Sequence, residues 1–275
     1  MRLQCEWVSY PDNGTSATAY LARPARDEGP LPAVLVIQEI WGVDGHIQDV
    51  AERFATAGYL ALAPDLYTED GKRPEALAAP RVEAAKAFLD ALPPSAWGDA
   101  QERAAALARL PAEARIEVSA TLSALLRPDR DMGAYAARLR AAVGYLRALP
   151  ATAGRRVGCC GFCLGGALSW MLAATEPQLA AAVAYYGSGP QPDGLGVLHA
   201  PVLGLYGGED HRITDGVPQL AAAVKAGGGA FEPRIYAGAP HAFFNDTRAS
   251  YRPDAARDAW ACTLGFLNTA LSAER

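Results

Sequence analysis

Short apolar runs alternate with stretches of helical periodicity along most of the chain. Ala33-Val34-Leu35-Val36-Ile37 is continuously apolar, the pattern of a strand covered on both faces. Over residues 44–57, Ile47, Val50, Ala51, Phe54 and Ala55 recur at helical spacing, and Gly58 stands where such a helix ends. Residues 59–63 read as the next strand, stopped by Pro64. Strand, helix and strand in such close order predict a right-handed crossover within a parallel sheet. The alternation resumes with a helix over 131–148, a strand over 156–160, and a sharp turn into a helix beginning near Leu164. Strands follow over 181–186, 201–206 and 231–236, separated by helical patterns and closed by a helix over 253–271. Ahead of all this, strand-like runs at 3–9 and 17–22 flank Pro11-Asp12-Asn13-Gly14, a tight-turn sequence that predicts a β-hairpin. The architecture is α/β, without an internal repeat.

Residues 68–130 interrupt the alternation. They are rich in Ala, Arg and Glu and are broken at Pro80, Pro93-Pro94, Pro111 and Pro128, which predicts two or three helices laid over the core near the pocket. At 275 residues, 51% of them hydrophobic and 20% charged, the chain can bury a large core, and a single domain spanning 1–275 is the simplest reading.

A net charge of -5 and the lack of a basic run exclude broad attraction to nucleic acid or an anionic membrane. No stretch of about 18 apolar residues could span a bilayer, and MRLQCEWVSYPDNG lacks the apolar core of a signal peptide, so a cytoplasmic location is expected. The five cysteines, at 5, 159, 160, 163 and 262, do not form a disulfide framework and fit a reducing compartment.

The chemistry concentrates in Gly161-Phe162-Cys163-Leu164-Gly165-Gly166, a glycine-flanked nucleophile elbow with cysteine as the nucleophile. The glycines permit a sharp strand-to-helix turn, the helix N-terminus favours negative charge on sulfur, and the Leu164 N–H is placed for an oxyanion. Downstream, Asp210 follows a strand in Gly207-Gly208-Glu209-Asp210 and is the expected partner of a histidine, with Glu209 as its neighbouring competitor. His241 follows the last strand in Gly238-Ala239-Pro240-His241. Nucleophile, acid and histidine in that order, each after a strand, point to an α/β-hydrolase fold with a mostly parallel central sheet flanked by helices. In Gln38-Glu39-Ile40-Trp41-Gly42 a carboxylate emerges from the first apolar strand. Desolvation there favours its protonated form unless a partner compensates, which makes Glu39 a candidate holder of the thiol proton, while the Ile40 N–H is a second candidate oxyanion donor.

These residues resemble the dienelactone hydrolase family. The matching segments are 38–42, Pro64-Asp65-Leu66-Tyr67, the elbow through Leu168, Tyr185-Tyr186-Gly187, residues 207–211, and His241 with Phe243. The resemblance implies a Cys163, Asp210 and His241 triad, with Glu39 controlling the thiol proton. It also implies carboxylated enol lactones from aromatic-ring degradation as substrates. Trp41 and Tyr67 are candidate lining residues. The family's best-known members carry a carboxylate-binding arginine four residues after the histidine; this chain has Asn245 there, and Arg81, Arg103, Arg115 and Arg127 are possible replacements.

A rival reading takes Cys160-Gly161-Phe162-Cys163 as a dithiol redox motif, making the chain a thiol-disulfide oxidoreductase. No cofactor and no metal are expected, since no histidine pair has ligand spacing and Cys159 and Cys160 point to opposite faces of a strand. His46, His199 and His211 are assigned to the surface or to supporting positions around the site.

Overall fold

The computed structural model describes residues 2–12, 14–26, 29–194 and 196–272. Contacts divide the chain into two compact units, residues 1–66 with 132–275, and residues 67–131.

The larger unit is built on an eight-stranded sheet. Its strands are β1 (Leu3–Asp12), β2 (Thr15–Pro24), β3 (Ala33–Ile37), β4 (Leu60–Pro64), β5 (Val157–Phe162), β6 (Leu179–Tyr185), β7 (Val202–Gly207) and β8 (Phe231–Tyr236), in the order β1-β2-β4-β3-β5-β6-β7-β8. β1 and β2 form the expected antiparallel hairpin, whose Asn13 lies outside the described residues. β2 also pairs antiparallel with β4, and every later pairing is parallel. The continuous apolar runs of β3, β4, β5, β6 and β7 are buried at every position, as strands covered on both faces must be.

The helix α1 (Gly45–Thr56) crosses from β3 to β4, its first turn capped by the Asp44 carboxylate, which accepts from the Ile47 N–H at 3.1 Å. Its apolar face packs with Ala256, Ala259, Leu267 and Leu271 of the last helix (Pro253–Ser272) on one side of the sheet. The opposite side is covered by α5 (Met132–Ala148), α6 (Leu164–Thr175) and the helix at Val217–Ala226, through Leu139, Leu146, Leu168, Leu172 and Leu220. Cys159 and Cys160 fall in these two different clusters, as alternation along β5 requires.

β8 is an open edge. Val202 N–H donates to Ala230 and Gly208 N–H to Tyr236, so the even-numbered carbonyls of β8 face β7 and Pro233 faces outward. A proline at that position removes a donor from the exposed ladder and discourages pairing with another chain.

The smaller unit holds α2 (Ala79–Asp90), α3 (Ala100–Leu107) and α4 (Ala112–Leu125), with short 3-10 turns at Glu75–Leu77 and Pro94–Trp97. Three α-helices thus occupy the segment for which proline spacing predicts two or three. Thr121 Oγ1 donates to the Ala76 carbonyl, Asp99 caps α3, and Tyr67 is buried. Arg81 is paired with Glu75 and Glu117, Arg103 with the carbonyls of Ala96 and Trp97, and Arg127 with Asp129; Arg115 is exposed.

Candidate active site

Cys163 sits between β5 and α6 (Leu164–Thr175), with φ 53° and ψ -109°. A non-glycine residue in this region carries strain of about 1–3 kcal/mol and persists only where the surroundings enforce it. Here they do. The Cys163 N–H is tied to the Tyr185 carbonyl at 3.0 Å and its carbonyl accepts from Ala167 at 3.2 Å. A Cβ on Gly161 would lie 2.0 Å from the Gly165 carbonyl oxygen, and one on Gly165 would lie 2.2 Å from that of Ile37. Glycine at both places lets α6 start directly against the end of β3. The Leu164 N–H, in the first turn of α6, has no intrahelical acceptor. Tyr186 and Ala242 are also left-handed, at φ 38° and 57°. Three of the four described non-glycine residues with positive φ therefore belong to this site.

Asp210 and His241 come together because the turn after β7 is sewn onto the segment after β8. Gly208 N–H donates to Tyr236 and Glu209 N–H to Ala239, and a Cβ on Gly207 would lie 2.5 Å from the Ala239 carbonyl oxygen. The outcome is a 2.5 Å hydrogen bond between His241 Nδ1 and Asp210 Oδ2. Asp210 is buried and Glu209 is not its substitute: the carboxylate that reaches the imidazole is Asp210. Burial works against charge on the imidazole, but the neighbouring Cys163 sulfur and the Asp210 carboxylate outweigh it, and the pKa of His241 is pushed from 6.5 up to about 10. Cys163 is partly exposed, and its sulfur lies near enough to His241 to raise the imidazole pKa electrostatically.

Glu39 is buried at the end of β3, with one donor on each oxygen. Tyr186 Oη donates to Oε1 at 3.1 Å and Asn245 Nδ2 donates to Oε2 at 3.0 Å. Burial and the Glu39 carboxylate both hold the Tyr186 phenol well above its ordinary range, so it remains a donor. The Tyr186 ring also stands against the His241 ring, with centroids 5.1 Å apart. Neither Tyr186 nor Asn245 is recognisable as a Glu39 partner from sequence, because 147 and 206 residues separate them from it.

Trp41 is buried beside this turn, under the Arg248 guanidinium at 5.2 Å from the ring centre. His199 and His211 are exposed, as expected, but His46 is buried against Phe162 and Phe244. It shares the buried face of α1 with Val50 and Phe54, at steps of four residues, and this periodicity is the signal that identifies it as interior. Among the described residues no group of three metal-binding side chains occurs, and no helix is long and apolar enough to cross a membrane.

A mostly parallel sheet flanked by helices, with the candidate residues gathered where its strands end, defines an α/β-hydrolase fold. A profile of the dienelactone hydrolase family matches residues 17–271. The chain is 33% identical over 261 residues to a Saccharolobus solfataricus protein named "Putative carboxymethylenebutenolidase", covering 94% of this chain and 96% of that one. It is 35% identical over 266 residues to an Escherichia coli K12 protein of the same name, covering 92% and 83%. A crystal structure of a "Putative Dienelactone Hydrolase" from Klebsiella pneumoniae superposes with a TM-score of 0.68 at 32% identity, covering 96% of this chain and 98% of that one. The chain belongs to the dienelactone hydrolase family and is a carboxylic ester hydrolase.

Proposed function

We propose that the chain hydrolyses an ester or lactone through a thioester formed on Cys163. The observation that carries this reading is the 2.5 Å bond from Asp210 to a His241 whose elevated pKa depends on the Cys163 sulfur. At neutral pH that imidazole is the conjugate acid beside the nucleophile, the arrangement suited to thiolate attack and leaving-group protonation.

The thiolate adds to the acyl carbon while the carbonyl π pair moves to oxygen, between the N–H groups of Ile40 and Leu164. Collapse reforms the carbonyl and breaks the C–O bond, and the departing oxygen takes the His241 proton. For a lactone the released enol or alcohol remains part of the same acyl chain. His241, now neutral, removes a proton from water as it attacks the thioester, and collapse returns the Cys163 thiolate and the carboxylic acid. Asp210 fixes the Nδ1–H tautomer throughout. In the resting state Glu39 holds or accepts the thiol proton.

The names of the relatives support a carboxylated butenolide as the leading substrate class. Since Asn245 replaces the expected arginine and is committed to Glu39, Arg248 over Trp41 is the better-placed cation for a substrate carboxylate. The dithiol alternative gains no support: Cys160 is fully buried and burial pushes its thiol well above the ordinary range. Five free cysteines favour a reducing, cytoplasmic setting.

The test is a panel of lactones and aryl esters, with and without a free carboxylate, assayed on wild type and Cys163→Ala. The variant is expected to fold and to lose turnover of every substrate; full activity in it overturns the assignment.

A further inference from the structure

We propose that Asn245 is a positioning residue for the reaction, an uncharged latch that fixes Glu39 in one orientation and reserves its Oε1 for proton exchange with Cys163. The inference rests on Cys163 and Glu39 acting as proposed above.

The orientation of the Asn245 amide is set by its surroundings. Its Oδ1 accepts from the Thr247 N–H at 3.1 Å and from Thr247 Oγ1 at 2.7 Å. A backbone N–H can only donate, so a flipped amide would set donor against donor. The Nδ2 group must therefore face Glu39 Oε2, where it donates at 3.0 Å. Both side chains are nearly inaccessible, Asn245 at 1% and Glu39 at 3% exposure, so neither oxygen of the carboxylate can turn to bulk water.

With Oε2 occupied by the amide, Oε1 is left with Tyr186, the ring that stands beside His241 and feels the charge of Cys163. The latch carries no charge of its own. A cation in this place would pair with Glu39 and spend its negative charge; an amide orients the carboxylate and leaves that charge for the thiol proton. Asn245 is carried on the loop that bears His241, its N–H donating to the Ala242 carbonyl at 3.1 Å across the left-handed Ala242. The bond from Asn245 Nδ2 to Glu39 thus ties the histidine loop to the end of β3. Of the other charged groups nearby, Asp246 is paired with Arg53 at 2.5 Å and Arg248 lies on Trp41.

The experiment is a double-mutant cycle on the full chain with Asn245→Ala and Glu39→Gln. Each protein is read by the pH dependence of Cys163 alkylation with iodoacetamide and by kcat and KM for p-nitrophenyl acetate. Loss of the amide makes Glu39 the stronger proton holder, so Asn245→Ala is expected to move the alkylation midpoint to lower pH. Its kcat is expected to fall roughly ten- to a hundredfold, as loss of a hydrogen bond to a charged group predicts, with little change in KM. In the Glu39→Gln background the same substitution is expected to do almost nothing further. An unmoved midpoint, or effects that multiply independently in the double variant, overturns the proposal.

Should Asn245→Ala not fold, Asn245→Asp keeps the shape and sets two carboxylates together that cannot both ionise. Its alkylation profile is expected to split into two steps, and a profile superimposable on wild type refutes the latch. Cys163→Ala separates the two layers of argument. If that variant still turns over, the thioester reading falls; if it is inactive while the cycle is independent, only the role of Asn245 falls.

Discussion

Gly165→Ala is expected to perturb the proposed oxyanion site without removing any functional atom. Its new Cβ would lie 2.2 Å from the Ile37 carbonyl oxygen and 2.7 Å from that of Gln38, against an ordinary contact of about 3.5 Å. Both obstacles are backbone, so α6 and the end of β3 must separate. Overpacking of this kind costs about 1–3 kcal/mol of stability, which a domain of ordinary stability survives. The functional cost is larger in proportion. Opening this contact is expected to disturb the proposed pair of oxyanion donors, Ile40 and Leu164, and loss of one good oxyanion donor costs roughly 10²- to 10³-fold in kcat. A displacement of about 1 Å is enough to have an effect of that order. The assay compares kcat and KM on an activated aryl ester with the rate of Cys163 alkylation by iodoacetamide, which uses the thiolate but no oxyanion site. The expected result is a hundredfold or greater loss of kcat, roughly, with alkylation nearly unchanged and a folded circular dichroism spectrum. A folded Gly165→Ala enzyme with wild-type kcat would refute the assignment of Ile40 and Leu164.

Three further outcomes are expected. Cys160→Ser should leave ester hydrolysis largely intact, and complete loss of turnover in a folded variant would revive the dithiol reading. Because the pKa of His241 is raised from 6.5 to about 10, its protonated form stabilises the folded state; that contribution is full below pH 6.5 and lost as pH rises through about 10. Denaturant titrations of wild type and His241→Gln should therefore converge across that interval, and a constant gap would contradict the ion pair. Asp210→Asn removes the carboxylate bonded to Nδ1, so kcat should fall by about tenfold or more and the alkaline limb of the pH–rate profile should move to lower pH; an unmoved limb would count against the triad.

Much of this site is legible in the amino-acid sequence, for reasons that are local. Gly161 and Gly165 announce the elbow because no other side chain fits where backbone passes at 2.0 and 2.2 Å. The strand at 33–37 is visible in its apolar run, and the helix after it in the spacing from Ile47 to Ala55. What stays hidden depends on contacts between distant segments. Glu39 as a carboxylate with one donor per oxygen is not readable from the chain, since Tyr186 and Asn245 reach it from two other strand ends. Asn245 reads as the loss of a cation; in place it is a donor with a fixed direction. Of the two places open to His46, the surface or a supporting position, the buried one follows from its sharing the face of Val50 and Phe54.

The central claim, a thioester on Cys163, is tested most directly by intact-mass spectrometry of His241→Ala mixed with p-nitrophenyl acetate. Without the base that activates water, the acyl-enzyme should accumulate. The expected result is a mass increase of one acetyl group, located to the peptide that contains Cys163 and removed by neutral hydroxylamine. An acetyl group on another residue, with Cys163 unmodified, would contradict it.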